Sequence, residues 1–228
     1  KEMYTIQGCA MEFKNHKSYE YTVAGRPLVM ETGKRAGLAN GSCLCRYGDT
    51  VVLCCATASE KPRDGIDFLP LSVDFDERMY AAGKIPGGYL KREGKPSEKA
   101  VLTARVIDRP VRPLFPKDLR NDVALTLTVM SVDHDCSPEI TAMIGASIAL
   151  SISDIPWNGP IAGVFMGLVN GEIVVNPTEA QRKVSDLELT VAASMEKVVM
   201  IEAGAKEVDD DTMFEAIMKA HAEIKELL

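Results

Sequence analysis

Between Ala81 and Pro116 the sequence AAGKIPGGYLKREGKPSEKAVLTARVIDRPVRPLFP gathers the side chains best suited to chemistry on an anion. From Lys84 to Arg120 there are ten Lys and Arg (84, 91, 92, 95, 99, 105, 109, 112, 117, 120) against four acids (93, 98, 108, 118), a net +6. The 228-residue chain has a formal charge of −7, so everything outside this strip carries −13. A basic strip inside an acidic chain is a local device for a negatively charged partner. Tyr89-Leu90 places an aromatic and an aliphatic side chain beside Lys91-Arg92. Stacking surface next to phosphate-binding charge is what single-stranded nucleic acid requires. An ordinary solvated charged loop fits the same residues. A Walker-type phosphate loop does not, because five residues separate Gly88 from Gly94-Lys95 and Pro96 follows.

Arg105 and Arg109 stand one helical turn apart, and Arg112 precedes Pro113, which favours an extended backbone there. Arginines on an otherwise buried element need anionic partners. An internal carboxylate (Asp108, Glu98 or one of the acids at 64–77) satisfies that need. So does a phosphate, which a planar guanidinium grips with two hydrogen bonds.

The elements that position these groups follow from local pattern. Gly83, Pro86, Gly87, Gly88 and Gly94 make the first half of the strip a loop. Pro96 suits a first helical turn and Pro110 disfavours helical angles before it, so a helix is expected over roughly Pro96–Asp108. Val101, Leu102, Ala104, Val106 and Ile107 point in nearly every direction, so that helix is expected to be largely buried. Upstream, residues 13–31 read as hairpins. Ser42–Tyr47 and Thr50–Ala58 flank a tight turn at Gly48-Asp49, and VVLCCAT reads as a central strand covered on both faces. Glu60–Asp67 is a charged loop, Phe68–Phe75 a strand, and Met79-Tyr80 core.

Downstream, Val123–Val132 alternates as a strand. Pro138–Ser151 is small and apolar, a buried helix whose Gly145 and Ala146 permit close approach to a sheet. The turn-rich Ile155–Pro160 marks a seam, dividing one domain of residues 1–228 into parts 12–154 and 155–228. Ile161–Val169 and Glu172–Val175 flank the hairpin signal Asn170-Gly171. Strands follow at Leu187–Ser194 and Val198–Glu202. A last helix begins after Asp209-Asp210-Asp211, with the stripe Phe214, Ile217, Met218, His221, Ile224 and Leu228. No internal repeat or low-complexity tract is present.

Hydrophobic residues make up 46% and charged residues 26%, ordinary for a globular chain. No apolar run approaches the ~20 residues of a membrane span and no signal peptide precedes Tyr4, so no membrane partner is expected. Lys1 is not a start methionine, so the chain is expected to have been trimmed or cut. The six cysteines (9, 43, 45, 54, 55, 136) lack zinc-knuckle spacing and read as buried, reduced thiols of a cytoplasmic protein. Asp209-Asp210-Asp211 suits helix capping better than metal binding, and His221 packing better than ligation. His16 and His134 have no second ligand at useful spacing. Asp74, Asp76 and Glu77 read as local ion-pair partners of Arg78.

Three segments carry a family resemblance: DFDERMYAAGKIPGGYLKREGKPSEKAVLTARVIDRPVRPLFP, ITAMIGASIALSISDIPWNGPIAG and NPT…DLELTVAAS. Together they resemble the first RNase PH-type core domain of the bacterial polynucleotide phosphorylase (polyribonucleotide nucleotidyltransferase) family, over nearly the whole chain from about Tyr19. The resemblance implies an α+β, two-layer fold: a mixed β-sheet with packed helices, ribosomal-protein-like in its β-α-β order. It also implies 3′→5′ phosphorolysis of RNA, in which inorganic phosphate attacks the terminal phosphodiester and releases a nucleoside diphosphate. The family's Phe-Phe-Arg-Arg loop, which grips RNA in a central channel, corresponds to Tyr89-Leu90-Lys91-Arg92, although Leu90 cannot stack as an aromatic can. Arg105, Arg109 and Arg112 are further candidates for RNA contact.

By the same resemblance, the phosphate-binding serines of the second core domain fall at Ser137-Pro138-Glu139. That domain's two metal-site aspartates and lysine fall at Arg182, Glu188 and Thr190. Glu139 repels phosphate, Pro138 withholds an N–H, Arg182 removes a metal ligand, and one carboxylate does not make a magnesium site. This half is therefore expected to hold no catalytic or metal-binding residue. Mg²⁺ is expected in the second core domain, with inorganic phosphate as co-substrate. The expected partners are single-stranded RNA, that second core domain and two further copies in a homotrimer. A non-enzymatic, RNA-binding structural subunit of an exosome-like ring is the alternative.

Overall fold

The computed structural model describes residues 13–228, so the expectations for Lys1, Tyr4 and Cys9 lie outside the described residues. The chain begins with five strands: β1 (Lys17–Val23), β2 (Arg26–Thr32), β3 (Gly41–Tyr47), β4 (Thr50–Pro62) and β5 (Leu71–Glu77). A long excursion containing α1 (Glu98–Val111) leads to β6 (Asn121–Ser131) and α2 (Pro138–Ser151). Then come β7 (Ala162–Val169), β8 (Glu172–Val175), α3 (Glu179–Val184), β9 (Leu187–Ala193), β10 (Val198–Ala205) and α4 (Asp210–Leu227). Two sheets form where one was expected. The larger has the order β1-β2-β3-β4-β6-β5, and the smaller β10-β9-β7-β8. All neighbours are antiparallel except β5 and β6, which makes the larger sheet mixed.

Turn chemistry sets these registers. Asn170 (φ 52) and Gly171 (φ 80) are both left-handed between β7 and β8, the backbone a two-residue hairpin needs. Gly48 (φ 57) starts the turn between β3 and β4, where a Cβ would lie 2.6 Å from Cys136 Sγ.

Helix α2 binds the two sheets together. Ser137 caps it, Pro138 occupies its first turn, and the unbroken run Ile140–Ser147 is buried. It packs on β3 and β4 of the larger sheet and on β7 of the smaller. Such close packing demands residues without bulk. A Cβ on Gly145 would sit 2.4 Å from Cys54 Sγ, and one on Gly163 2.4 Å from the Met143 thioether sulfur, Sδ. A buried polar chain adds a second tie between the sheets. The Tyr47 hydroxyl donates to Val23 O at 3.1 Å and accepts from Asn176 Nδ2 at 3.2 Å, while Asn176 Oδ1 accepts the Phe165 N–H at 2.9 Å.

Several local expectations are corrected. In β4 Thr50, Val52, Cys54 and Ala56 are buried, because α2 covers one face; Val51, Leu53 and Cys55 are half-buried on the other. Cys43, Cys45, Cys54 and Cys136 are buried free thiols, whereas Cys55 is only partly covered. Tyr80 is exposed and Met79 half-buried, so this pair is not core. In α4 the inward face is Ala216, Ala220, His221 and Ile224, while Phe214 and Met218 are exposed. His221 is packed as expected, its Nε2 lying 3.1 Å from Ser194 O. Asp209 caps α4 by accepting the Thr212 N–H at 2.9 Å. The short helix α3 was not expected, although Thr178 and Gln181 form a reciprocal capping box that is legible as T-x-x-Q. No helix among the described residues is long and apolar enough to cross a membrane.

The contact under Gly145 yields a stability prediction. Gly145→Ala is expected to lower stability by about 1–3 kcal/mol through overpacking, despite the helix-propensity gain of the extra methyl. Adding Cys54→Ala should recover part of that loss in denaturant unfolding. A Gly145→Ala chain as stable as the parent would show that the thiol moves aside freely.

Candidate nucleic-acid interface

Parallel pairing of β5 with β6 forces a crossover, and the basic strip lies on it. The chain leaves β5 through a single 3₁₀ turn, Met79–Ala82, which Gly83 ends in a left-handed conformation (φ 67). Lys84 N–H closes the root of the loop on Met79 O at 3.0 Å. Farther out, Lys91 N–H donates to Gly88 O at 3.0 Å and closes a four-residue turn. That turn puts Tyr89 and Leu90 at its tip, where they are 99% and 71% exposed. Lys91 itself has a positive φ of 49°. Lys84, Lys91, Arg92 and Lys95 form no ion pair among the described residues. Charge left unpaired beside exposed apolar surface is available to a ligand.

Helix α1 begins two residues later than Pro96 suggests, because Ser97 is the cap: its Oγ accepts the Ala100 N–H at 3.1 Å. It also runs through Pro110 to Val111. A proline in the last turn removes one hydrogen bond, and burial of Ile107, Pro110 and Val111 holds the backbone helical. The helix is half-buried and not enclosed, with Val101 and Leu102 50% and 57% exposed.

Its arginines divide. Arg105 is exposed and has no hydrogen bond or ion pair among the described residues. Arg109 bonds Glu202 at 3.1 Å. Arg112 is helical (φ −57, ψ −44) and not extended. It forks onto Asp108 at 3.0 and 2.7 Å and reaches Leu69 O and Leu71 O at 3.3 and 3.1 Å.

Loop, α1 start and α2 start face one another across an open cleft of about 1000 Å³. Ser137, Pro138, Glu139, Arg182 and Glu188 all line it, so residues far apart in sequence share one wall. Thr190 follows on β9 but does not line the cleft. Glu139 accepts from Thr103 Oγ1 at 3.2 Å and lies 3.8 Å from Lys99 Nζ. Arg182 donates to Pro177 O at 3.3 Å and to His134 O. Asp133, also on the wall, is held below the usual carboxylate range chiefly by the Asp135 N–H, so it stays ionised near neutrality. Behind it, burial and then the Asp133 charge push the Cys136 thiol up to about 11.

These residues do not fit a divalent metal. Glu139 is already engaged, a guanidinium shares the wall with Glu188, and no three His, Cys, Asp or Glu side chains are grouped for coordination among the described residues. The remaining acids near the loop are local partners: Asp76 pairs with Arg78, and Glu93 accepts the Met79 N–H at 2.9 Å. Sequence pattern did not reveal the Thr103–Glu139 and Met79–Glu93 contacts.

Against this geometry, family comparison is decisive about descent. The model for domain 1 of the 3′ exoribonuclease (RNase PH) family matches residues 24–156, and that for domain 2 matches residues 159–223. The chain belongs to this family. It is 67% identical over 92% of its length to a polyribonucleotide nucleotidyltransferase of Ruminiclostridium cellulolyticum. It is 61% identical over 93% of its length to that of Lachnoclostridium phytofermentans, and 59% over 93% to that of Clostridioides difficile. In each case it covers 30% of the relative, so it spans about a third of the length of the curated relatives it matches. The crystal structure of rice Rrp46 shares the fold, with a TM-score of 0.69 at 14% identity over 95% of this chain and 92% of that one.

The Arg112 fork gives a second prediction. Arg112→Ala is expected to cost about 1–2 kcal/mol, since a bidentate pair and two carbonyl contacts are lost at a partly exposed site. Asp108→Asn should lose less, and the double variant little more than Arg112→Ala alone. Full additivity in this cycle would show that the two side chains do not act together.

Proposed function

We propose that this chain is the first RNase PH-type core domain of a polyribonucleotide nucleotidyltransferase, a 3′→5′ exoribonuclease that uses inorganic phosphate to release nucleoside diphosphates from RNA. The reading rests on one observation: Lys84, Arg92 and Lys95, which form no ion pair among the described residues, line the cleft, and Lys91 adjoins the exposed tip Tyr89-Leu90 on the same loop. The high identity to polyribonucleotide nucleotidyltransferases over nearly all of the chain supports it.

In this reading Tyr89 offers a face on which a base stacks, Leu90 adds apolar contact, and Lys91 and Arg92 neutralise phosphates. Arg105 extends the path. Arg109 and Arg112 join it only by exchanging Glu202 and Asp108 for phosphate. Phosphorolysis brings two anions together and needs concentrated positive charge at the reacting centre. Here the opposite wall carries the Glu139 carboxylate and a proline without an N–H, so chemistry belongs to another part of the protein. Residues 1–228 form one core domain, its parts 12–154 and 155–228 meeting at the turn-rich seam. Mg²⁺ is assigned to the second core domain, inorganic phosphate to its co-substrate site, and the assembly to a cytoplasmic homotrimer. The exosome-like structural subunit remains the outcome if the complete polypeptide proves inert.

Two measurements test this. Replacing Lys91 and Arg92 by Ala should weaken binding of single-stranded RNA and reduce the slope of log K against log salt by about 1.4, or ~0.7 per lost phosphate contact. An unchanged slope would remove the loop from the interface. Incubated with RNA, phosphate and Mg²⁺, the complete polypeptide should release nucleoside diphosphates while residues 1–228 alone should not. Release by this chain alone would falsify the non-catalytic reading.

A further inference from the structure

We infer that Glu93 is the positioning residue of the basic loop, tethering it to the turn beneath and fixing where Tyr89–Arg92 are held. The inference rests on the reading of that loop as an RNA contact. Between Lys84 and Lys95 Glu93 is the single acid, and it directly follows Lys91-Arg92. An anion at that place repels phosphate, so electrostatics alone disfavour it.

The structure gives the carboxylate another partner. Glu93 Oε1 accepts the Met79 N–H at 2.9 Å. Met79 opens the 3₁₀ turn Met79–Ala82, and its cap residue Arg78 supplies no side-chain hydrogen bond. The first N–H of that turn would otherwise lack a partner within the chain. A carboxylate from the far limb of the loop fills the place of a cap, in a charge-assisted hydrogen bond. From Gly83 to Pro96 this is the only side-chain hydrogen bond among the described residues; the rest are backbone bonds at the root and within the tip turn. Four glycines (83, 87, 88, 94) leave the intervening backbone little stiffness of its own. Cut at Glu93, the loop keeps its charges and loses its bearing, and RNA must then order it on binding.

Glutamine and alanine separate the two effects, because glutamine keeps an acceptor oxygen and drops the charge. If Glu93 acts only as a misplaced anion, Glu93→Gln and Glu93→Ala both bind RNA more tightly. If it is the tether, Glu93→Gln binds as well as the parent or better, while Glu93→Ala binds about two- to tenfold more weakly. The affinity for a labelled single-stranded oligouridylate is measured by fluorescence anisotropy at fixed salt, on the complete natural polypeptide carrying this chain. Lys91→Ala/Arg92→Ala is run alongside. Thermal melting of each variant keeps a folding defect apart from a loop effect, and Glu93→Ser replaces the alanine variant should that one melt early. Weak binding by Glu93→Ala with normal binding by Glu93→Gln supports the tether. Undiminished binding by Glu93→Ala, with the Lys91/Arg92 variant weakened, overturns it and leaves the loop reading intact. Equal loss in both Glu93 variants shows that an acceptor oxygen alone does not hold the loop and overturns the tether as described. An unweakened Lys91/Arg92 variant removes the loop reading and the tether with it.

Discussion

The parallel pairing of β5 with β6 is the constraint on which the rest of the molecule depends. Two parallel neighbours cannot be joined by a tight turn, so the chain must leave the end of β5 and travel the length of the sheet before β6 begins. That obligatory excursion supplies both the basic loop and α1. It also brings them to the edge where α2 starts, so that Lys99 and Thr103 of α1 meet Glu139 of α2. The cleft is thus a product of topology before it is a product of side chains.

Charge within the crossover is sorted by distance from the core. Near the sheet, cations are consumed by the fold: Arg112 by Asp108 and the Leu69 and Leu71 carbonyls at the start of β5, Arg109 by Glu202 of β10. Farther out, on the glycine-rich loop, Lys84, Lys91, Arg92 and Lys95 form no ion pair among the described residues. A chain with a strong negative balance elsewhere keeps them available by holding its acids at a distance or in local pairs such as Asp76–Arg78. Side-chain placement, more than net composition, makes the strip usable.

Much of this was legible from sequence. The boundaries of α2 follow from Ser137, Pro138 and a small apolar run, and the structure keeps them as Pro138–Ser151. The hairpins at Gly48-Asp49 and Asn170-Gly171 follow from turn chemistry that tolerates positive φ. The family resemblance carried by Asp74–Pro116 agrees with the comparisons. What escaped was information that no local window contains. Apolar residues on every side of α1 conceal which side faces the sheet, so Val101 and Leu102 read as buried. The same limit made β4 look enclosed on both faces. Pro113 argued for an extended Arg112, yet a bidentate contact with Asp108 one turn back outweighs that preference. Glu93 is silent in any pattern, since its partner is a backbone N–H across a bend.

The shared helix α2 has one more implication. Family models recognise the two sides of the Ile155–Pro160 break separately, as though each were a self-contained module. Physically they are not interchangeable parts, because both press on the same rod from opposite directions at Gly145 and Gly163. Shuffling one side between homologues would succeed only for pairs whose surfaces already match.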